Sequence, residues 1–359
     1  MTQANILAQI GSRSGPTFRN RIINGAMVID QRNAGASVTP ANGDYTLDRW
    51  KTTLSQASKL TIQQNAGSIT APVGFTNYLG VTSSSAYSIS SSDYFFLEQV
   101  IEGFNTADLN WGTANAKTIT VSFWVRSSLT GTFGGAIRNN ANDRAYPFTY
   151  SIPVASTWTQ ISITIAGDTS GTWVGATNGA GLKLDIGLGA GSTFSGTAGA
   201  WAAGNYVSAT GATSVVGTNG ATFYITGVQL EVGSSATGYE YRQYQQELAL
   251  CQRYFFLIAR GTQQAICNAS YQGTGYVEGI VNFPVTMRST PTAYVITGTN
   301  YYASLSRNTA NTLNSLLTEF AGTNAASLYN TTEASGVQGY GAWLYVNNAA
   351  GAVGFQSEL

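Results

Sequence analysis

The chain has 359 residues, room for two domains, and is 43% hydrophobic, enough to build their cores. Its 17 basic and 17 acidic residues cancel, which argues against a general nucleic-acid binder or a membrane-surface binder. Histidine is absent, which excludes Ser-His-Asp and Cys-His catalysis and His-ligated zinc.

In chain order, residues 1–17 read as a polar, Gly-punctuated arm. The stretch contains no apolar run of signal-peptide length, and no later stretch approaches the roughly 18 apolar residues of a membrane span. The expectation is a protein made in a cytoplasm that does not insert into a bilayer. Next comes a basic, Asn-rich collar, FRNRIINGAMVIDQRNAG, with Arg19, Arg21 and Arg32 each beside an Asn. Its apolar centre is Ile22 to Ile29.

Strands then dominate. In ITVSFWVR, Ile119, Val121, Phe123 and Val125 alternate with Thr120, Ser122, Trp124 and Arg126, the period of a half-buried strand. WTQISITIAG repeats the pattern with Ile161, Ile163 and Ile165. FYITGVQLEVG is expected to place Tyr224, Val228, Leu230 and Val232 on one face. Short strands with Gly/Ser/Thr/Asn connections predict an antiparallel sandwich.

The pattern changes at YEYRQYQQELALCQRYFFLIAR, which has no Gly or Pro. Tyr244, Leu248, Cys251, Phe255 and Ile258 are spaced 4-3-4-3, predicting an amphipathic helix over 243–260. Its stripe either packs on its own domain or joins three copies in a trimer. Strands return after Arg260. Two cysteines, Cys251 and Cys267, are too few for a disulfide framework and are expected as buried thiols or one bridge.

These segments carry a resemblance. NRIINGAMVIDQRNAG with YTLDRW, then ITGVQLEVGSSATGYEYRQYQQELALCQRYF, then GIVNFPVTMRSTPT and the terminal FQSEL together resemble a family of bacteriophage tail-fibre or tail-associated virion proteins. The motifs span residues 18 to 359. The resemblance implies an all-β chain: a jelly-roll sandwich similar to carbohydrate-binding modules over 18–242, a short connecting helix at 243–260, and a second β-sandwich-like domain over 261–359. Many such modules bind a structural calcium through an Asp in their last strand. Here that strand reads Tyr224 to Glu231 without one, so no metal or other cofactor is expected.

The jelly roll that the resemblance implies makes Ile22 to Ile29 its first strand, with Met27 and Ile29 in the core, and gives the collar two readings. It is a hydrogen-bonded clamp closing the sandwich edge, with Trp50 inward and Asp48 and Arg49 bonding the collar, or it is a docking patch for another virion protein.

No nucleotide-binding loop or paired-carboxylate motif stands out, and GDTSG at Gly167 to Gly171 reads as a turn. Glu98, Glu102, Asp143 and Asp168 are the carboxylates a glycosidase would have to draw on. The expectation is no enzymatic activity. Trp111, Trp124, Tyr146, Tyr150 and Trp173 are the candidate sugar-stacking aromatics, competing with a plain core role.

The chain is therefore expected to be a structural virion protein, a tail fibre or host-recognising adhesin. A capsid decoration or head-fibre protein is the alternative, and a glycan-cleaving spike a further rival. Expected partners are further copies of itself in a trimer, other virion proteins and a host surface glycan. Only four residues are Lys, a side chain depleted at subunit interfaces.

Overall fold

The alternation read in ITVSFWVR is the side-chain pattern of a sandwich strand in the computed structural model, which describes residues 18–359. The arm expected over 1–17 lies outside the described residues. Ile119, Val121, Phe123 and Val125 are fully buried, while Trp124 and Arg126 turn to the outer face. Among the described residues the protein is all-β: two antiparallel β-sandwich units with a single short connecting helix. The first unit comprises residues 18–27, 39–43 and 52–242; the second comprises 28–38, 44–51 and 243–359.

The strands run β1 (Tyr45–Leu47), β2 (Trp50–Leu54), β3 (Leu60–Gln64), β4 (Leu79–Ser83), β5 (Tyr94–Glu102), β6 (Ile119–Ser127), β7 (Gly131–Arg138) and β8 (Arg144–Ile152). They continue with β9 (Thr159–Ile165), β10 (Ala180–Ala190), β11 (Ser195–Gly196), β12 (Ala202–Ala203), β13 (Ser208–Ala209) and β14 (Thr222–Val232).

In the first unit one sheet has the order β2-β5-β10-β7-β8-β12 and the facing sheet β3-β4-β14-β6-β9. Sequence neighbours such as β4 and β5 lie in different sheets, the crossing pattern of a jelly roll. Phe123 of one sheet meets Tyr150 of the other edge-to-face at 5.1 Å, and Tyr150 stacks on Phe133 at 5.8 Å. That contact fixes the core between the sheets.

Two expectations for this unit are corrected. Ile22 to Ile29 is not a strand. Asn24 and Met27 both adopt left-handed backbone conformations, which break an extended run. Its side chains are still buried as expected: Ile22 and Met27 are fully so, and Ile29 is 1% exposed. Side chains satisfy much of its backbone instead of a ladder. Gln99 Nε2 donates to Ile23 O (2.9 Å), Gln99 Oε1 accepts from Ile23 N (2.8 Å), and Arg242 Nη1 donates to Ile22 O (2.9 Å).

The second correction concerns β14. Its register with β6 slips between Thr226 and Gln229, around Gly227 at φ +62°. A bulge of one residue exchanges the two faces of a strand. Phe223 and Ile225 precede it in the core, and Val228 and Leu230 follow it there. Tyr224 lies on the outer face opposite Arg126, and Val232 is 42% exposed.

The second unit contains β1, helix α1 (Tyr244–Gln252) and strands β15 (Phe255–Arg260), β16 (Gln264–Gly273), β17 (Tyr276–Asn282), β18 (Thr292–Val295) and β19 (Tyr302–Ser306). Strands β20 (Thr309–Leu313), β21 (Ala325–Asn330), β22 (Gly341–Val346) and β23 (Ala352–Gln356) complete it. A three-stranded sheet β15-β23-β18 and a six-stranded sheet β20-β19-β22-β16-β17-β21 enclose Tyr271, Tyr302, Leu328, Leu344 and Phe355.

The helix is shorter than the expected 243–260. The chain turns at Arg253 and Tyr254, and Phe255 to Arg260 pairs with β23. FFLI suits either state locally; a strand partner about 100 residues away decides it. Of the expected stripe, Tyr244, Leu248 and Cys251 sit on the helix, and Phe255 and Ile258 sit on β15. Cys251 and Phe255 are fully buried inside this unit, Leu248 is half-buried and Tyr244 is 57% exposed. Cys251 and Cys267 are both free thiols; burial raises both, Cys267 to about 12.

The collar's second half belongs to this unit and binds its C-terminal residues. Gln31 donates to Asp48 through its backbone N (2.7 Å) and Nε2 (2.6 Å), and Nε2 also reaches Phe255 O (2.9 Å). Arg32 donates to Glu358 (2.9 Å) and lies 3.8 Å over the Phe255 ring. Arg49 donates to Glu358 as well, and Tyr45 Oη to Leu359 O (2.7 Å). The Asn-rich end is a turn around Asp30, whose carboxylate accepts from the N–H groups of Asn33 and Gly35.

Candidate functional site

Three of the five aromatics singled out in the sequence meet in one corner of the first unit, with a fourth ring that the sequence did not flag. Trp111 follows a short 3-10 turn, Trp173 sits in the loop after β9, Tyr146 on β8, and Trp201 just ahead of β12. Their rings meet edge-to-face: Trp111 with Trp173 at 4.7 Å, Trp111 with Trp201 at 5.2 Å, Trp173 with Trp201 at 5.5 Å, and Tyr146 with Trp201 at 5.3 Å. Such geometry brings the positive edge of one ring to the negative face of another.

Each indole N–H of the cluster is anchored to a backbone carbonyl. Trp111 donates to Lys117 O (2.7 Å), Trp201 to Ala166 O (2.7 Å) and Trp173 to Ser170 O (3.2 Å). The loop carrying Trp173 is pinned from beneath by Asp168. That buried carboxylate takes a bidentate pair from Arg144, at 2.8 and 2.6 Å, and accepts from Ser170 N. The bond to Asp168 raises the Arg144 guanidinium further above its ordinary value. Asn139 ties the same loop through Thr172 O (3.1 Å) and bonds Asp143 (2.6 Å). GDTSG is thus the turn that orients a tryptophan.

Trp111 is only 7% exposed, while Trp173, Trp201 and Tyr146 are half-buried. Burial raises the Tyr146 hydroxyl above its usual value. A cleft of about 60 Å³ opens beside Trp111 and Trp173, edged by Asn110, Val174 and Leu182. Small-molecule sites run to roughly 300–1,000 Å³. The corner can therefore offer ring surface to a ligand lying across it, but cannot enclose one.

The remaining candidates are elsewhere. Tyr150 is a core residue, 5% exposed between Phe123 and Phe133, and is corrected from ligand candidate to packing. Trp124 stands half-buried on the outer face of the other sheet, across from Gln160 and Thr226. Among the collar arginines, Arg21 is held by Asp108 (2.8 Å) and Asn105 O (2.7 Å), Arg32 by Glu358, and Arg19 has its side chain at the surface.

Two of the four carboxylates considered for hydrolysis are held by arginines. Asp168 is bound to Arg144, and Glu98 to Arg138 (2.8 Å), which also holds Asp185. Burial, opposed by Arg138, pushes Asp185 up to about 7. Among the described residues no group of three or more Cys, Asp or Glu could hold a metal, and no helix is long and apolar enough to cross a membrane.

No protein-family model matches this chain, and no curated protein matches it in sequence. Solved structures give distant likenesses. The enzymatically active domain of tailspike protein 4 of bacteriophage CBA120 is 11% identical over 61% of this chain and 22% of its own, with a TM-score of 0.33. A family 11 carbohydrate-binding module from Clostridium thermocellum, in complex with a mixed-linked tetrasaccharide, is 11% identical over 56% of this chain and 98% of its own, TM-score 0.28. The CBM22-1 xylan-binding domain of Paenibacillus barcinonensis Xyn10C is 10% identical over 57% and 99%, TM-score 0.27. Likenesses of this strength say nothing of what the chain binds, and the jelly roll rests on the strand order itself.

Proposed function

We propose that this chain is a non-enzymatic attachment protein of a bacteriophage particle, a tail fibre or tail-fibre-like adhesin, whose first unit recognises a host surface glycan. The observation that carries the recognition role is the convergence of Trp111, Tyr146 and Trp173 with Trp201 at one corner. Trp173 and Trp201, half-buried and each held by a backbone hydrogen bond, present rigid apolar surface to the C–H faces of a sugar, and Asn110 lies at the edge of the cluster to meet its hydroxyls. The virion role is supported by the resemblance of the collar and C-terminal motifs. A shallow corner binds weakly, and several copies on one particle would supply the avidity.

The test is binding of purified protein to polysaccharide extracted from the host surface. Trp173→Ala and Trp201→Ala should each weaken it about tenfold or more. Binding unchanged in both variants would refute recognition at this corner. Gold-labelled antibody on purified particles tests the location: label at the tail supports the adhesin, and label over the head supports a decoration protein.

A further inference from the structure

We infer a second ligand site, on the outer face of the six-stranded sheet of the second unit, that takes a neutral oligosaccharide. It stands on this unit's residues alone and does not depend on the aromatic corner.

The face is defined by strand register. Trp343 of β22 is directly opposite Asn268 of β16, and two residues along, Ser270 is opposite Glu278 of β17. Ile280, next on that face, pairs with Ser327 of β21. The alternate residues Ala342, Leu344, Val277 and Val281 point the other way into the core, so the parity leaves Trp343, Asn268, Ser270, Glu278 and Ile280 on one outward surface.

That surface is unusually apolar for something facing water. Trp343 is 62% exposed, Ile280 66% and Phe320 71%. Isolated exposed apolar residues need no explanation, but these line two adjoining grooves of about 650 and 410 Å³ that share Asn268 and Ala269. Each volume lies within the range of small-molecule sites. The distance from the strand of Trp343 to that of Glu278 is two strand spacings, roughly 10 Å, so the site is sized for an oligosaccharide rather than one sugar.

Chemistry points to the ligand class. Glu278 Oε2 accepts from Tyr276 Oη at 3.0 Å, but Oε1 is buried at the groove wall with no hydrogen-bond partner among the described residues. A carboxylate oxygen shut away from water without a donor is unfavourable, and a ligand hydroxyl would relieve it. The floor adds an amide, Asn268, and the hydroxyl of Ser270, both able to donate and accept. Arg307 closes the far end, 4.2 Å over the Tyr340 ring. One acid and one base at opposite ends of a neutral, hydroxyl- and amide-lined floor suit an uncharged polyol. An exposed tryptophan ring suits its apolar face.

The full chain is applied to an array printed with neutral oligosaccharides (glucans, galactans and mannans) and with uronic-acid and sialylated ones. It is read in a Trp201→Ala background, so that the groove reports without the corner. Binding to at least one neutral structure is expected. Adding Trp343→Ala should weaken it about tenfold or more, and Glu278→Gln, which keeps an acceptor but removes the charge, should weaken it less. Both side chains lie on an outer face, and matched melting temperatures confirm that folding is intact. Failure to bind any neutral oligosaccharide, a preference for acidic or cationic ligands, or neutral binding unchanged by Trp343→Ala would each overturn the proposal. So would a Trp343→Ala variant that dissociates an oligomer in sedimentation without losing sugar, since that would make the face a contact between copies.

Discussion

Arg49 and Glu358, 309 positions apart in sequence, meet as an ion pair inside the second unit, with Arg49 1% exposed and lying 3.6 Å over the Tyr254 ring. The same carboxylate accepts from Arg32, so one side chain pairs with two buried guanidiniums. Removing one partner of a buried pair leaves an uncompensated charge, typically at about 3–5 kcal/mol. Glu358→Ala should destabilise the second unit by that order in urea unfolding, and Glu358→Gln by less. An unaltered unfolding midpoint for Glu358→Ala would show that the pair holds nothing together.

Asp48 gives this region a pH response. Its burial raises the carboxyl, and although Arg32 and the hydrogen bonds from Gln31 pull the other way, it stands at about 7. An aspartate raised in the folded state binds its proton more tightly there than in the unfolded chain. Its favourable contribution is complete below about pH 4 and is lost as the pH rises through about 7. Asp48→Asn cannot ionise. The stability difference between variant and wild type should therefore move in the variant's favour from pH 4 to pH 7. A difference that stays flat across that interval would mean Asp48 titrates normally.

Asp93, in the first unit, behaves oppositely. Burial would raise it, but hydrogen bonds from the Ser90 hydroxyl and N–H, Ser55 Oγ and Tyr87 Oη outweigh burial and hold it at about 2. Its contribution is present above about pH 4 and lost as the pH falls through 2. Asp93→Asn should cost about 1–2 kcal/mol at neutral pH. The deficit should shrink in acid, and melting curves at pH 2 and pH 7 measure it.

Much of this was legible in sequence where one strand's own alternation decided the outcome, as in Ile119 to Val125. It was not legible where a distant partner decided. Phe255 to Ile258 follows a helical spacing equally well and becomes strand only because Ala352 to Gln356 pairs with it. Tyr224 changed face because Gly227 forms a bulge beneath the ring of Phe75. The corner was found through Trp111, Tyr146 and Trp173, but Trp201 stands in an Ala/Gly-rich loop that carries no period to flag it. The groove around Trp343 draws on five strands spread over some 75 residues, and no local pattern reports such a surface.

Gly25 shows how the collar can be unstranded and still specific. Residues 20–25 run beside β14: Asn20 Nδ2 donates to Val228 O (3.1 Å), its Oδ1 accepts from Leu230 N (3.1 Å), and Val228 N donates to Gly25 O (2.9 Å). A Cβ at Gly25 would lie 2.1 Å from Val228 O, a backbone atom that cannot step aside without disturbing the bulge. Gly25→Ala should thus cost about 3 kcal/mol, as overpacking in a rigid site does. Gly35, at φ +80° with open space around its Cβ position, is the contrast: Gly35→Ala meets only backbone strain and should cost about 1 kcal/mol. Urea unfolding of the two variants separates close approach from conformational preference. Equal and small losses would mean that the collar yields where it passes β14, and that the register of its hydrogen bonds there is not enforced by the missing side chain.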